Sequence, residues 1–257
     1  LFPEIVQPWL QSGIVHKAAL KGVIKVDVVN PRDWAHDVHH RVDDYVYGGG
    51  PGMLLKPDVM SACIRAVRRP GDRVIALVPG GRPLDRETLS RLASCKGLIL
   101  ISGRYEGFDA RFLDTCADER ISVGDYVVMG GEAPALIVFE GVVRRLESVL
   151  HDSQSVERDS FEDGLLEEDA FTRPREYAGV AVPEVLTGGD HARIDSWRRM
   201  SSIQNTYKYR PDLLLGSILD DSDRIVLKNS YTELYCGEHH TGSGRKAASG
   251  CARIQHR

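Results

Sequence analysis

The chain has 257 residues, of which 42% are hydrophobic and 27% are charged, and its formal net charge is −4. These values are ordinary for a folded protein and exclude a disordered chain, a collagen-like repeat and a small disulfide-stapled scaffold. The net charge gives no overall attraction to nucleic acid, so any such partner must bind a local basic surface. The longest apolar runs, 97–102 and 134–139, are far shorter than the roughly 18–20 residues of a membrane span.

The cysteines and the N-terminus indicate the compartment. Five cysteines are scattered along the chain without a CxxC pair, which favours small buried side chains in a reducing compartment over a metal or redox site. The sequence begins Leu-Phe-Pro-Glu and lacks the charged start and apolar stretch of a signal peptide. We therefore expect a cytoplasmic protein with no membrane partner.

Helical and strand patterns alternate in the first part of the chain. Helices are predicted at 4–10, 14–20, 58–68, 85–94, 108–116 and 134–149. Strands are predicted at 24–29, 73–78, 98–102 and within the glycine-containing run 120–129. This alternation predicts an α/β fold with an open, mostly parallel sheet whose compact apolar strands are buried on both faces.

The composition changes abruptly after residue 150. Residues 152–169 contain eight acidic residues and one basic residue, which predicts a flexible acidic linker at 151–160 between two domains. The first domain then covers 1–150, and a small helical domain with a last helix at 221–234 covers 161–235. The tail at 236–257 is rich in Gly, Ser, Lys and Arg, which predicts disorder.

A glycine-rich loop at 48–53 follows the carboxylates Asp43 and Asp44. The loop lacks the Gly-Lys-Ser/Thr ending of a P-loop. Its consecutive glycines require unusual backbone angles or the close approach of another chain or ligand. From the sequence, a functional loop and a plain tight loop are equally favoured.

Two further glycine-rich loops directly follow predicted strands. The first is 103–107, and the second covers 122–127 and 130–132. In open α/β sheets ligands bind at the carboxyl ends of the strands. These loops therefore predict a site for an adenosine-containing ligand, although neither has the GxGxxG spacing of a dinucleotide site.

Spacing alone favours structural roles for two residues that could be catalytic. Arg144 lies with Arg145 near the end of an apolar helix, where cations stabilise the helix dipole. Asp159 could cap the next helix, with Glu162 completing a partial capping box.

The segment 191–210 is basic and contains interleaved aromatic residues. A solvated helix face and an RNA-binding surface are equally favoured interpretations, since Lys and Arg supply affinity for phosphates. Trp197 is more typical of a core residue. The basic residues are Arg193, Arg198, Arg199, Lys208 and Arg210.

Taken together, these motifs resemble those of one family, the bacterial tRNA (guanine-N(1)-)-methyltransferases of the SPOUT class, which modify guanosine 37, 3′ of the anticodon. The most specific are Tyr-Gly-Gly-Gly-Pro-Gly-Met at 47–53, Gly-Asp-Tyr-Val at 124–127 and Gly-Gly-Glu at 130–132. Shared motifs continue in the same order to about residue 215, at 1–4, 31–33, 42–44, 81–82, 103–107, 159–161, 164–166, 172–174, 182–183, 197–198 and 210–211.

The resemblance implies a SPOUT-type fold, with a trefoil knot at the C-terminal end of the first domain that binds S-adenosylmethionine. It also implies a homodimer with its active site at the subunit interface. The implied cofactor-binding residues are Gly103, Tyr105, Glu106, Val123, Gly124, Asp125, Tyr126, Val127, Val128, Gly130 and Gly131.

The resemblance also assigns roles in the reaction. Asp159 matches the family's general base and Arg144 its catalytic arginine, while Asp43, Pro51 and Gly52 match a loop required for activity. The implied partner is tRNA, not DNA, and we assign the five basic residues of 191–210 to its binding. Activity is expected to need Mg²⁺, although no metal-ligand spacing is visible and no metal site is predicted.

The chemistry explains why these residue types are needed. Nitrogen 1 of guanine carries a proton at neutral pH, so a carboxylate must accept it. Negative charge then grows on oxygen 6, where a guanidinium would stabilise it. The alternatives are another SPOUT methyltransferase acting on a different RNA atom, such as a ribose oxygen, and an inactive relative that only binds RNA.

Two departures from the family pattern fall between Arg144 and Asp159. Residues 145–148 replace a common apolar-Pro-Gly run, so the path into the linker is expected to differ. Arg158 directly precedes Asp159 and could pair with it, which would lower the basicity of the carboxylate.

Overall fold

The computed structural model describes residues 1–147, 149 and 159–236, with the backbone alone at 231–236. The chain divides between residues 156 and 157 into two compact units. Residues 151–158 of the predicted linker lie outside the described residues, as does the predicted tail 236–257 except for Cys236, which ends the last helix.

The first unit is an α/β structure built on a parallel sheet. Its helices are α1 (Pro3–Leu10), α2 (Gly13–Leu20), α3 (Pro57–Val67), α4 (Arg86–Ala93), α5 (Ala110–Cys116) and α6 (Glu132–Val143). Its strands are β1 (Asp43–Tyr45), β2 (Met53–Leu55), β3 (Asp72–Pro83), β4 (Gly97–Ser102) and β5 (Glu119–Ser122). Strands β4, β3 and β5 form the sheet in that order, and both pairings are parallel. The predicted α/β fold with a parallel sheet is confirmed.

Strand β3 lies in the middle of the sheet, and its side chains alternate between two cores. Val74 packs on one face with residues of α3 and α5, whereas Ile75 and Leu77 pack on the other with residues of α4 and α6. Val74 and Ile75 are fully buried. Burial on both faces explains the continuous apolar run at 74–77 in the middle of β3.

Strand β3 pairs twice with the same residue of β5. Leu77 and later Arg82 both lie opposite Ile121, and residues 78–81 leave the ladder between them. A Cβ at Gly81 would lie 2.5 Å from the backbone nitrogen of Ile121. Glycine is therefore required here, because the returning strand passes directly against the backbone of β5.

Aspartates begin several helices at the positions that the sequence indicates. Asp85 accepts a hydrogen bond from the backbone of Thr88 at 2.7 Å at the start of α4, and Asp109 accepts one from Arg111 at 2.8 Å before α5. These side chains satisfy N–H groups that have no partner inside the helix.

The predicted strand at 24–29 is wrong. Residues 24–30 belong to no strand, and Val23 and Ile24 pack on a small cluster that includes Ala18 and Val143. Val26 and Val29 remain exposed, so only the start of the apolar pattern is buried.

Two predicted elements are shorter than expected. Strand β5 ends at Ser122, because Gly124 adopts a φ of +154° and the chain turns away. Helix α6 begins at Glu132 and ends at Val143, where the backbone N–H of Arg145 donates to Val142 O in a tighter turn. The helix predicted at 134–149 therefore does not extend to its predicted end.

The described part of the second unit contains the α-helices α7 (His191–Tyr209) and α8 (Asp221–Cys236), short 3-10 helices at Glu184–Thr187 and Pro211–Leu215, and a small hairpin of β6 (Glu176–Tyr177) and β7 (Val180–Ala181). The helix predicted at 221–234 is confirmed. Among the described hydrophobic residues of the second unit, Leu165 and Ile203 are the most deeply buried, with 1% and 0% exposed. No helix in the described ranges of either unit is long and apolar enough to cross a membrane.

Asp118 joins the start of β5 to β3. Its carboxylate accepts hydrogen bonds from the backbone N–H of Val74 and from the Arg68 guanidinium, both at 2.8 Å. Burial alone would raise the pKa of Asp118, but these two hydrogen bonds, together with the nearby charges of Arg68 and Arg73, outweigh burial and leave the pKa below its ordinary value. The carboxylate therefore stabilises the folded protein in its charged form.

We expect Asp118→Asn to lower the free energy of unfolding by about 1 kcal/mol at pH 7, since an amide accepts the two bonds less strongly. A lowered folded-state pKa contributes stability that is present above the unfolded-state pKa, about 3.9, and is lost as pH falls through the folded value. The loss measured by urea unfolding should therefore shrink below pH 4, whereas Asp27→Asn, at an exposed carboxylate, should change little. A loss that stays constant with pH would contradict this account.

Candidate functional site

An open cleft lies at the carboxyl ends of the three parallel strands. Its walls are residues 77–79 of β3, where that strand leaves its pairing with β4 and β5, the loop 103–108 after β4, residues 121–124 and 126–131 at and after the end of β5, and Pro134 of α6. This edge is where open α/β sheets bind their ligands. The tertiary structure therefore forms a concave site where the glycine-rich loops predicted one.

The cleft brings together the predicted cofactor-binding residues except Asp125, which belongs to the same loop but does not line the cavity. The lining members of that set are Gly103, Tyr105, Glu106, Val123, Gly124, Tyr126, Val127, Val128, Gly130 and Gly131. Their part in binding a cofactor stays a prediction.

The two glycine-rich loops contact each other through their backbones. The N–H of Gly131 donates to Gly103 O at 2.7 Å, and Ser102 Oγ donates to Gly131 O at 3.1 Å. A Cβ at Gly131 would lie 2.6 Å from the backbone nitrogen of Gly103. Only glycine allows this approach, which determines the width of the cleft.

The Gly103 loop also contacts the hairpin of β1 and β2. Glu106 N–H donates to Met53 O at 2.9 Å, and Leu55 N–H donates to Gly107 O at 3.0 Å. Tyr105 adopts a φ of +60°, unusual for a residue with a side chain. The hairpin is therefore held beside the cleft.

The predicted activity loop is part of this hairpin. Asp43 pairs with Leu55 across the two strands. Gly52 has a φ of +83°, and a Cβ there would collide with the Glu106 side chain. Pro51 precedes it at the exposed end of the loop. The close approach predicted for the glycine loop occurs at Gly52, whereas Gly48–Gly50 have open space around them.

Arg144 lies at the other end of α6 from the cleft. The helix has 12 residues and spans about 18 Å at 1.5 Å per residue. Arg144 is exposed just beyond its last turn, while its neighbour Arg145 donates to Ser90 Oγ at 3.2 Å. The first unit alone does not bring Arg144 to the glycine loops.

Asp159 lies in a turn of the second unit. Phe161 N–H donates to Leu165 O at 2.7 Å, and Glu162 N–H donates to the backbone oxygen of Asp159 at 3.2 Å. The predicted helix cap at Asp159 is wrong, because the positive φ of Phe161 and Gly164 closes a turn in place of a helix. Arg158, its predicted ion-pair partner, lies outside the described residues.

The segment after this turn is bound to the polar face of α7. Leu166 N–H donates to Thr206 Oγ1 and Asp169 N–H donates to Ser201 Oγ, both at 2.9 Å. Ser202 Oγ donates to Leu166 O at 2.5 Å. From the sequence, a solvated helix face and an RNA-binding surface were equally favoured for 191–210. The structure shows that part of this helix face is instead covered by the segment that precedes it in the chain.

Carboxylates contact three of the five predicted tRNA-binding residues. Arg198 lies 3.3 Å from Glu168, and Arg210 pairs with Asp212 at 2.7 Å. Arg199 pairs with Asp163 and Asp223, each at 2.8 Å. A phosphate would have to displace these partners.

Arg193 and Lys208 are exposed, and the Lys208 ammonium lies 4.9 Å from the centre of the Tyr209 ring. Trp197 is half-buried and packs against Phe171 with the ring centres 6.0 Å apart. The described residues include no group of three or more His, Cys, Asp or Glu side chains arranged to hold a metal ion.

The sequence matches a family model described as tRNA (Guanine-1)-methyltransferase TrmD over residues 1–216. The chain belongs to this family. It is 46% identical over 222 residues to the tRNA (guanine-N(1)-)-methyltransferase of Methylococcus capsulatus, covering 85% of this chain and 88% of the relative. It is 44% identical over 229 residues to the protein of that name from Staphylococcus epidermidis, covering 89% and 94%. The resemblance seen in the sequence motifs is confirmed.

The sequence did not predict an ion pair that joins the two glycine-rich loops of the cleft in this methyltransferase. Both carboxylate oxygens of Glu132 lie 3.0 Å from Arg104 Nε, and the Glu132 side chain is almost fully buried. Arg104 also donates to Met129 O at 3.5 Å. A glutamate at the start of an apolar helix was the available signal, but its partner 28 residues earlier required the fold.

We expect Gly131→Ala to weaken S-adenosylmethionine binding roughly tenfold to a hundredfold, measured by calorimetry. The added Cβ overlaps the backbone of Ser102 and Gly103, and relieving such overlap typically costs about 1–3 kcal/mol. Gly80→Ala is the control, because a Cβ there has no neighbour within 4 Å. Wild-type affinity in Gly131→Ala would show that the loop contact does not shape the binding site.

Proposed function

We propose that this protein transfers a methyl group from S-adenosylmethionine to nitrogen 1 of guanosine 37 in tRNA, 3′ of the anticodon. One observation carries the proposal: in a chain that belongs to the tRNA (guanine-1)-methyltransferase family, the loops matched to cofactor binding line one cleft at the carboxyl ends of the sheet. Membership of this family disfavours a ribose methyltransferase and an inactive RNA-binding relative.

The residues of the cleft suit the proposed cofactor. S-adenosylmethionine supplies a methyl group already activated by its sulfonium centre. Gly103 and Gly131 line the cleft without side chains, and their mutual hydrogen bond holds the two loops in place, while Leu77, Val123 and Pro134 provide apolar walls. Backbone polar groups with apolar walls are typical of cofactor sites. The protein's contribution is mainly alignment.

Asp159 is proposed to accept the proton of guanine nitrogen 1. General base catalysis of this kind contributes typically about 10²–10⁴-fold to the rate. The carboxylate is half-buried at the rim of a cavity that also contains Arg198 and Ser202. A side chain in a rigid turn at a cavity can meet a base that has left the anticodon stack.

Arg144 is proposed to stabilise the negative charge that grows on oxygen 6 of guanine. Its distance from the glycine loops of its own unit, about 18 Å along α6, supports an active site completed by a second copy. We therefore propose a homodimer with its active site at the subunit interface.

The remaining proposals concern the organisation of the chain. We propose that the region around the cleft forms a SPOUT trefoil knot, which the close passage of Gly81 against Ile121 supports. Residues 161–235 are proposed as a helical tRNA-binding domain after the linker 151–160, and the protein is proposed to work in the cytoplasm. The family resemblance implies Mg²⁺, but the described residues offer no fitting ligand group, so no step is assigned to a metal.

The reaction is tested by following labelled methyl transfer to unmodified tRNA with guanosine or adenosine at position 37. We expect label in the guanosine tRNA alone, and base-specific analysis should identify N1-methylguanosine. Label in the ribose would establish a different SPOUT methyltransferase. Cofactor binding without transfer to either tRNA would contradict the proposed substrate.

We expect Asp159→Asn to lower the single-turnover rate of methyl transfer by about 10²–10⁴-fold, because the amide cannot accept the proton of nitrogen 1. Binding of cofactor and tRNA should persist, since the shape of the side chain is kept. Asp221→Asn, at a carboxylate that is 97% exposed on α8, is the matched control. A rate near wild type for Asp159→Asn would exclude this residue as the general base.

A further inference from the structure

Arg199 connects three parts of the second unit through one guanidinium group. Its Nη1 donates to Asp163 at 2.8 Å, and its Nη2 and Nε donate to the two oxygens of Asp223 at 2.8 and 3.3 Å. Nη2 also lies 3.4 Å from the backbone oxygen of Ile218. A planar guanidinium with partners on both sides is held in one orientation.

One of these partners belongs to the turn that carries Asp159. Asp163 lies four residues after Asp159, and its side chain also accepts the N–H of Leu165 at 3.2 Å. The next residue, Gly164, accepts a hydrogen bond from Ser217 Oγ at 3.0 Å. The turn is therefore attached to the rest of the unit at two adjacent residues.

The other partner anchors Arg199 firmly. The Asp223 side chain is only 4% exposed, and breaking a buried pair leaves an uncompensated charge, which is strongly destabilising. Asp223 lies in the first turn of α8, while Arg199 belongs to α7. Arg199 thus fixes the position of the Asp159 turn relative to both helices.

Arg198 provides the contrast on the same helix. Its carboxylate partners lie 3.3 and 3.4 Å away, and one of them, Asp195, is 67% exposed. Exposed pairs of this kind contribute about 0–1 kcal/mol, so a phosphate can replace them. The charge of Arg199 is already satisfied by Asp163 and Asp223.

We propose that Arg199 is a positioning residue for the general base, holding the Asp159 turn through Asp163, and is not a phosphate contact for tRNA. The inference rests on the proposed function, because it assumes that Asp159 takes part in methyl transfer. It replaces the tRNA-binding role that the basic pattern at 191–210 predicted for this residue.

Two variants test the proposal through the single-turnover rate at saturating tRNA and the tRNA dissociation constant from filter binding. Asp163→Asn removes the charge on the turn and leaves the Arg199–Asp223 pair in place. We expect its rate to fall by about 10- to 100-fold, since a misplaced catalytic group is costly, with tRNA affinity within about twofold of wild type. Arg199→Lys should behave in the same way, because an ammonium keeps the charge but not the fork.

The comparison variants separate positioning from phosphate binding. Arg198→Gln should weaken tRNA binding and make it less dependent on salt, because one phosphate contact is lost. Arg224→Gln, at a 70% exposed arginine on α8, should leave both quantities unchanged. Thermal unfolding of each variant checks the fold; if Arg199→Lys is destabilised, Asp163→Asn decides, since its side chain is 58% exposed.

Wild-type rates in both Asp163→Asn and Arg199→Lys would overturn the proposal. A further variant, Arg199→Gln, removes the charge at this position. If it bound tRNA more weakly and with a smaller salt dependence but kept the rate at saturating tRNA, Arg199 would be a phosphate contact and the proposal would also be overturned. A wild-type protein that methylates neither tRNA would overturn the proposed function together with this inference. Activity of the wild type combined with unaffected variants would overturn the positioning role alone.

Discussion

The backbone of Gly131 lies against the end of β4, where its N–H donates to Gly103 O at 2.7 Å. This contact determines the cleft, because it joins the loop after β5 to the loop after β4. The Arg104–Glu132 ion pair repeats the connection through side chains, and the hairpin loop at Gly52 is attached to the same unit through Glu106. Three segments distant in sequence thus form one wall of the cleft. They can come this close because the contact positions are either glycines, which have no side chain, or the oppositely charged side chains of an ion pair.

In the second unit, contacts between segments distant in sequence hold the turn that carries Asp159. Asp159 belongs to a turn, and the chain that follows is hydrogen-bonded along α7 through Ser201, Ser202 and Thr206. A helix with small polar residues in a row can accept an extended segment against it, since their hydroxyl groups satisfy its backbone. This arrangement gives the proposed base a rigid support, although it lies outside regular secondary structure.

Most of the sheet and its helices could be predicted from the sequence, because strands buried on both faces have continuous apolar runs and aspartates mark the helix starts. The strand expected at 24–29 is wrong, since alternating apolar residues do not by themselves provide a neighbouring strand to pair with, and Val26 and Val29 remain exposed. The prediction of a helix cap at Asp159 is also wrong, because the residue pattern does not determine the structure that follows it. A Ser/Asp/Glu pattern is shared by helix starts and turns, and the positive φ of Phe161 depends on its surroundings.

The sequence by itself determined the family, through short motifs whose order persists over most of the chain, and it predicted a ligand site at the glycine loops because they follow apolar strands. Only the tertiary structure decided which of these residues meet. It joined Arg104 to Glu132, separated Arg144 from the cleft by the length of α6, and paired Arg199 with carboxylates. The physical reason is that ion pairing and close backbone approach depend on distances between residues far apart in the chain, whereas composition and spacing report only local conformation and burial.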